Sequence, residues 1–256
     1  VDDTAFFTRD GASFVPQEPA RGWWRQDSLH GRALVGLMGA QIADRHGSPD
    51  MVPARFTIDM FRLAAFAPAR IDTHIIRAGP RMALVEATMV VQGDAVARAT
   101  MQFLRPADAP PGRVWAPEPW DAPDPDSLPP LPDGRQPRHF EIRSIAGHLG
   151  AVAPKRLWLR ETCALIADEP LGPYARAALA ADFVSAFVHA GDAGIRYINS
   201  DVTLQLHRLP KGAWIGFEAT GHEASCGIAV GHCRLHDRDG AIGFITCTAL
   251  ANERRR

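Results

Sequence analysis

The chain has no apolar run that approaches the ~18 residues a membrane-crossing helix needs. It is equally short of cysteine. The four present, Cys163, Cys226, Cys233 and Cys247, make no CxxC pair and no dense spacing, which excludes a disulfide framework and suits reduced core thiols in a cytoplasm. Neither sign of charge predominates: 28 Lys and Arg stand against 29 Asp and Glu, a net charge of −1. That balance argues against nucleic acid or an acidic membrane surface as the main partner. The opening VDDTAFFTRDG lacks both the basic start and the apolar core of a secretory signal, so a cytoplasmic location is expected.

Several catalytic signatures are missing too. Gly31, Gly36 and Gly39 do not have the GxGxxG spacing of a dinucleotide turn, which must directly follow a strand. Gly221–Gly227 (GHEASCG) is not a GxSxG elbow, and no strand-turn-helix pattern surrounds Ser225. His232, Cys233, His236 and Asp237 look superficially like metal ligands. Residues 232 and 236 would share a strand face, but nothing supplies dependable further ligands, and no metal site is assigned.

What is present is core. The chain of 256 residues is 46% hydrophobic and suits one large domain or two small ones. Tyr174–His189 (YARAALAADFVSAFVH) reads as one helix, opened by Pro173 and stopped at Gly191. Ala175, Leu179, Phe183 and Phe187 draw an apolar stripe down it, while Ala178, Asp182, Ser185 and His189 draw a second, partly polar one. An earlier helix, LHGRALVGLMGAQIAD, has His30-Gly31 at its start, where His30 suits a cap. Each helix precedes a run of alternating strands: 56–63, 71–78, 82–91 and 95–104 after the first, 201–209, 213–220, 226–236 and 241–250 after the second. Strands at 140–145 and 156–161 precede the second helix. Between the halves, residues 106–137 hold 11 of the 21 prolines, which keep this segment out of a sheet interior. Trp115 and Trp120 suit docking of this linker on the body.

The halves repeat each other. FTIDMFRL at Phe56–Leu63 matches VTLQLHRL at Val202–Leu209, with Thr57/Thr203, Arg62/Arg208 and Leu63/Leu209 identical. The same offset lays GDAVARATMQFL on DGAIGFITCTAL, which pairs Thr100 with Thr246, Leu104 with Leu250 and Gln102 with Thr248. The expected organisation is a duplicated α+β unit: residues 1–105, a linker over 106–137, and residues 138–256.

A helix followed by a long antiparallel meander, twice in one chain, resembles the double hotdog fold. GWWRQDSLHGRALVGLMGAQIAD, INSDVTLQLHRLPKGAWIGFEA and GIAVGHCRLHDRDGAIGFITCTAL together resemble the thioesterase-like superfamily, and within it the acyl-CoA thioesterase II proteins. The resemblance implies hydrolysis of an acyl-CoA to free acid and CoA, no cofactor beyond the CoA of the substrate, and a homodimer. It also implies that three side chains hold the attacking water. The helix Asp falls on Asp182, the hydroxyl position on Asn199 with Ser200 beside it, and the Gln position on Thr248, or on Cys247 if the alignment slips by one. The acid is kept, whereas the residues at the other two places differ from those of the family. A hotdog protein that binds an acyl thioester or lipid without hydrolysing it is the alternative. Hotdog hydratases carry a DxNPxH-like run, and His189 lies too far after Asp182 to supply one.

Overall fold

The computed structural model describes residues 4–132 and 134–252. Strands β1 (Ala5–Asp10) and β2 (Ser13–Pro16) form a hairpin. Helix α1 (Gly31–His46) follows, then β3 (Val52–Met60), β4 (Ala69–Ala78), β5 (Met82–Val91) and β6 (Asp94–Leu104). After the linker come β7 (Phe140–Ala146), β8 (Arg156–Glu161) and β9 (Ala164–Ile166), then helices α2 (Pro173–Ala181) and α3 (Phe183–His189). Strands β10 (Tyr197–Asn199), β11 (Asp201–Leu206), β12 (Trp214–Ser225), β13 (Ile228–Asp237) and β14 (Gly240–Ala251) complete the chain. The architecture is an α+β double hotdog.

The strands make one sheet in the order β7-β8-β12-β13-β14-β11-β3-β6-β5-β4-β2-β1-β9, with β10 added on β14. The two repeats meet at its centre, where β3 pairs antiparallel with β11. Thr57 lies opposite Thr203, Phe56 opposite Leu204 and Ile58 opposite Val202. Because each pair maps onto another when one repeat is exchanged for the other, a pseudo-twofold axis passes through the two threonines, whose hydroxyls are 3.1 Å apart. The register on either side obeys the same symmetry: Thr57 faces Thr100 and Thr203 faces Thr246.

The N-terminal hairpin does not stay within its own repeat. β1 pairs in parallel with β9, Ala5 against Ala164 and Phe7 against Ile166, and so ties residue 5 to the second half. The linker has no strand of its own among its described residues. It is docked through Trp120, which stacks on His236 with ring centroids 4.0 Å apart and meets Trp158 edge-on. Gly216 makes this seat possible, since a Cβ there would lie 2.2 Å from the Trp120 ring. Trp115 takes no part and is 85% exposed, while Trp158 Nε1 donating to the Pro123 carbonyl at 2.9 Å and Arg143 Nη1 donating to the Leu128 carbonyl at 2.6 Å hold the segment further along.

The helices pack closely because small residues face each other. A Cβ on Gly36 would meet Leu179 at 2.7 Å, and one on Gly39 would meet Ala178 at 2.8 Å. The glycines of α1 and the alanines of α2 therefore serve close approach of two antiparallel helices. Below them, Phe183 packs on Phe140, Phe187 and Phe217.

Candidate active site

The helix expected over 174–189 is not continuous. α2 ends at Ala181 and α3 starts at Phe183, with Asp182 between them as a cap of both, at φ −66° and ψ −19°. The break lies beside the start of α1. A Cβ on Gly31 would stand 2.6 Å from Asp182 Oδ2 and 3.0 Å from its Cγ, so only glycine leaves the carboxyl room. Asn199, on β10, donates from Nδ2 to Asp182 Oδ1 over 2.9 Å. Burial raises the Asp182 pKa above the usual carboxylate value; the Asn199 bond and the charge of Arg32 oppose that rise.

Arg32 reinforces the arrangement. Its Nε donates to the Leu179 carbonyl, 3.2 Å away in the last turn of α2, and its guanidinium lies 4.0 Å from the centroid of the Phe140 ring. It also forms a buried ion pair with Glu161, whose own pKa is raised by burial against the opposing charge of Arg32. His30 is the cap of α1, its Nδ1 accepting the Arg32 N–H at 3.0 Å. Burial, with Arg32 and His139 nearby, lowers its pKa to about 3, so it stays neutral.

The structure joins Asp182 to Asn199 and leaves Thr248 apart from both. Along β14, residues 245, 247 and 249 are buried toward the helices, while 244, 246 and 250 are exposed and Thr248 alternates with them on the outer face. Thr248 acts there through its backbone: its N–H donates to Asp201 Oδ1 at 2.8 Å, and its carbonyl accepts the Ser200 N–H at 3.0 Å. The inward place belongs to Cys247, on the face that Asn199 shares through its pairing with Ala249. Cys247 Sγ is 3.4 Å from His189 Nε2, and His189 Nδ1 is 2.8 Å from His222 Nδ1. Burial, with Asp201 and Asp182 nearby, pushes the thiol up to about 12, and burial with His222 and Lys155 lowers His189 to about 4, so both are neutral at neutral pH. Ser185 and His189, which the sequence puts on one stripe with Asp182, are both buried.

The remaining polar candidates are engaged elsewhere. His236 lies under Trp120, and Asp237 receives Arg208 Nη2 at 2.7 Å and the Lys211 N–H at 2.8 Å. Among the described residues, no group of three His, Cys, Asp or Glu side chains is placed to hold a metal ion. No helix among them is long and apolar enough to cross a membrane.

The half-buried Asp182 carboxyl, braced by the Asn199 amide beside the start of α1, is the candidate site on this hotdog scaffold. Residues 106–250 match the acyl-CoA thioesterase C-terminal domain and residues 20–113 the N-terminal domain of the same family. The chain belongs to the acyl-CoA thioesterase family, and so to the thioester hydrolases. No curated protein matches it. Among solved structures it is similar to a protein from Novosphingobium aromaticivorans assigned as a thioesterase (TM-score 0.74, 21% identity, 97% of this chain and 98% of that one). It is also similar to a conserved hot dog protein of unknown function from Alicyclobacillus acidocaldarius (0.74, 20%, 98% and 97%). A third similar structure is the acyl-CoA thioesterase II TesB2 from Mycobacterium marinum (0.66, 18%, 88% and 91%). These likenesses carry the fold.

Proposed function

We propose that the protein hydrolyses an acyl-CoA to free acid and CoA with a water activated by Asp182. The observation that carries this reading is the seat of the Asp182 carboxyl between Asn199 and the first turn of α1. A thioester needs no protein nucleophile; it needs an aligned water, a base for its proton and donors for the developing oxyanion. Asp182 is the base, and Asn199 holds it in one orientation. The N–H groups that open α1 at Gly31, other than that of Arg32, which His30 holds, are the oxyanion donors, since a helix start presents such groups with a favourable dipole. As the tetrahedral intermediate collapses, the C–S bond breaks and the proton held by Asp182 passes to the CoA sulfur. Asp182 is suited to both transfers because its raised pKa makes it a stronger base than an exposed carboxylate. Thr248, whose side chain faces away, supports the site through its strand, and Cys247 fills the inward position beside it.

Free-thiol release from acyl-CoAs of graded length tests this. Wild type is expected to turn over at least one of them, and Asp182→Asn to lose about 10²-fold or more, as loss of a general base commonly does. A folded wild type silent on every thioester would transfer the site to the alternative, acyl-thioester binding without hydrolysis, which the departures at Asn199 and at Thr248 (or Cys247) favour. A homodimer is the assembly we infer from the family. The exposed outer-face residues Ile228, Val230 and Leu250 support it, and light scattering after size exclusion tests it.

A further inference from the structure

A cavity of about 370 Å³ opens beside the start of α1, lined by Arg21, Trp23, Gln26, Arg138 and His139 among others. A second cavity, of about 320 Å³, lies at the other end of α1 beside Gly47 and Tyr174 and is lined mainly by apolar groups. The first is at the Asp182 end. Trp23 stands edge-on to His30 with ring centroids 5.9 Å apart, His30 caps α1, and the next residue, Gly31, abuts the Asp182 carboxyl.

Its lining is unusual for a surface recess. Trp23 is 61% exposed, so most of its ring has no protein neighbour. Arg21 is fixed, with its guanidinium 4.0 Å from the Phe66 ring centroid and its Nε bonded to Glu18 at 2.9 Å, which neutralises that acid. Arg138 is exposed and makes no hydrogen bond or ion pair among the described residues. An unstacked indole beside an uncommitted guanidinium is the chemistry that takes a nucleobase and a phosphate together. The volume falls within the range usual for small-molecule sites.

Resting on the thioesterase reading above, we infer that this cavity binds the phosphorylated adenosine end of the CoA carrier. The base stacks on Trp23, Arg138 meets a phosphate, and the thioester arm runs past His30 to Asp182. The concave shape favours a nucleotide over the flat contact of a carrier protein.

The test compares two substrates bearing the same acyl group, one on CoA and one on N-acetylcysteamine, which lacks the nucleotide. Wild type, Trp23→Ala and Arg138→Ala are each measured on both. The KM for acyl-CoA is expected to rise about 10-fold or more in each variant, with a ratio of effects that strongly exceeds that on the short thioester. Equal losses on the two substrates, or no change in KM for acyl-CoA, would overturn the assignment. Calorimetric titration with adenosine 3′,5′-bisphosphate decides the point without turnover. Binding to wild type that weakens in both variants supports the site even if no thioester is hydrolysed. Absent binding, or binding that both variants retain in full, overturns it and leaves the hydrolytic reading to stand or fall on Asp182.

Discussion

Replacing Gly31 by Ala should disable the site while leaving the fold nearly intact. The added Cβ would sit 2.6 Å from Asp182 Oδ2 and 3.0 Å from both Oδ1 and Cγ, well inside ordinary van der Waals contact. Something has to move, and the mobile group is the carboxyl. Turning it aside weakens the 2.9 Å bond from Asn199 and carries the base off the line to the substrate carbonyl. Displacement of a catalytic group by about 1 Å can cost ~10²-fold in rate, and a loss of that order is expected in kcat. The effect on stability is small because two contributions oppose. Alanine in a helix is favoured over glycine by up to about 1 kcal/mol, whereas overpacking costs about 1–3 kcal/mol. The net destabilisation should therefore stay within about 2 kcal/mol. Thiol-release kinetics and urea unfolding of the same preparations test both halves. Wild-type kcat in Gly31→Ala would refute the claim that the carboxyl must occupy the space beside α1.

Three further outcomes follow from the electrostatics and the linker. Asp182 must be ionised to act as base, so kcat/KM should fall as pH drops through a value above the usual carboxylate pKa of 3.8, and Arg32→Met should move that midpoint higher in a pH–rate profile. The raised pKa also means that the folded protein binds this proton more tightly than the unfolded chain does. The Asp182 contribution to stability therefore grows as pH falls from neutral through the raised pKa toward 3.8, and Asp182→Asn should raise Tm at pH 7 in a thermal melt. Trp120→Ala should loosen the linker ahead of Pro123: limited proteolysis should speed up within 106–122, and thiol release by the uncleaved protein should stay within twofold of wild type, because Trp120 contacts His236 and Trp158 rather than Asp182.

The duplication was legible because symmetry leaves marks in sequence. Thr57 and Thr203 are the same position in two copies and also neighbours across the central strand pair, so the offset that aligns the halves is the offset of the hydrogen bond between them. Strand alternation and the glycine and proline stops located most of the other elements. The break at Asp182 was not legible. The alanines on its N-terminal side and the aromatics beyond it continue a good helical pattern, and the groups that meet Asp182, the start of α1 and Asn199 on β10, are distant from it in the chain. The assignment at Thr248 shows a different limit. The repeat aligns it with Gln102, and both lie on the outer face, whereas Asn199 and its bond to Asp182 are on the inner one. Since side chains alternate with period two, a slip of one residue exchanges Thr248 for Cys247 and turns the residue toward the helices. The pairing of Cys247 with His189 and His222 joins three elements far apart in the chain, which no spacing could reveal.

The central claim is that Asp182 activates water and does not itself attack the thioester. A single turnover in ¹⁸O water, with enzyme in excess over the acyl-CoA that wild type prefers, tests it most directly. The account predicts that the released acid carries one solvent ¹⁸O in that first turnover and that the peptide containing Asp182 stays unlabelled. Unlabelled acid together with ¹⁸O in Asp182 would mean that the carboxylate had formed an anhydride with the acyl group, and would contradict it.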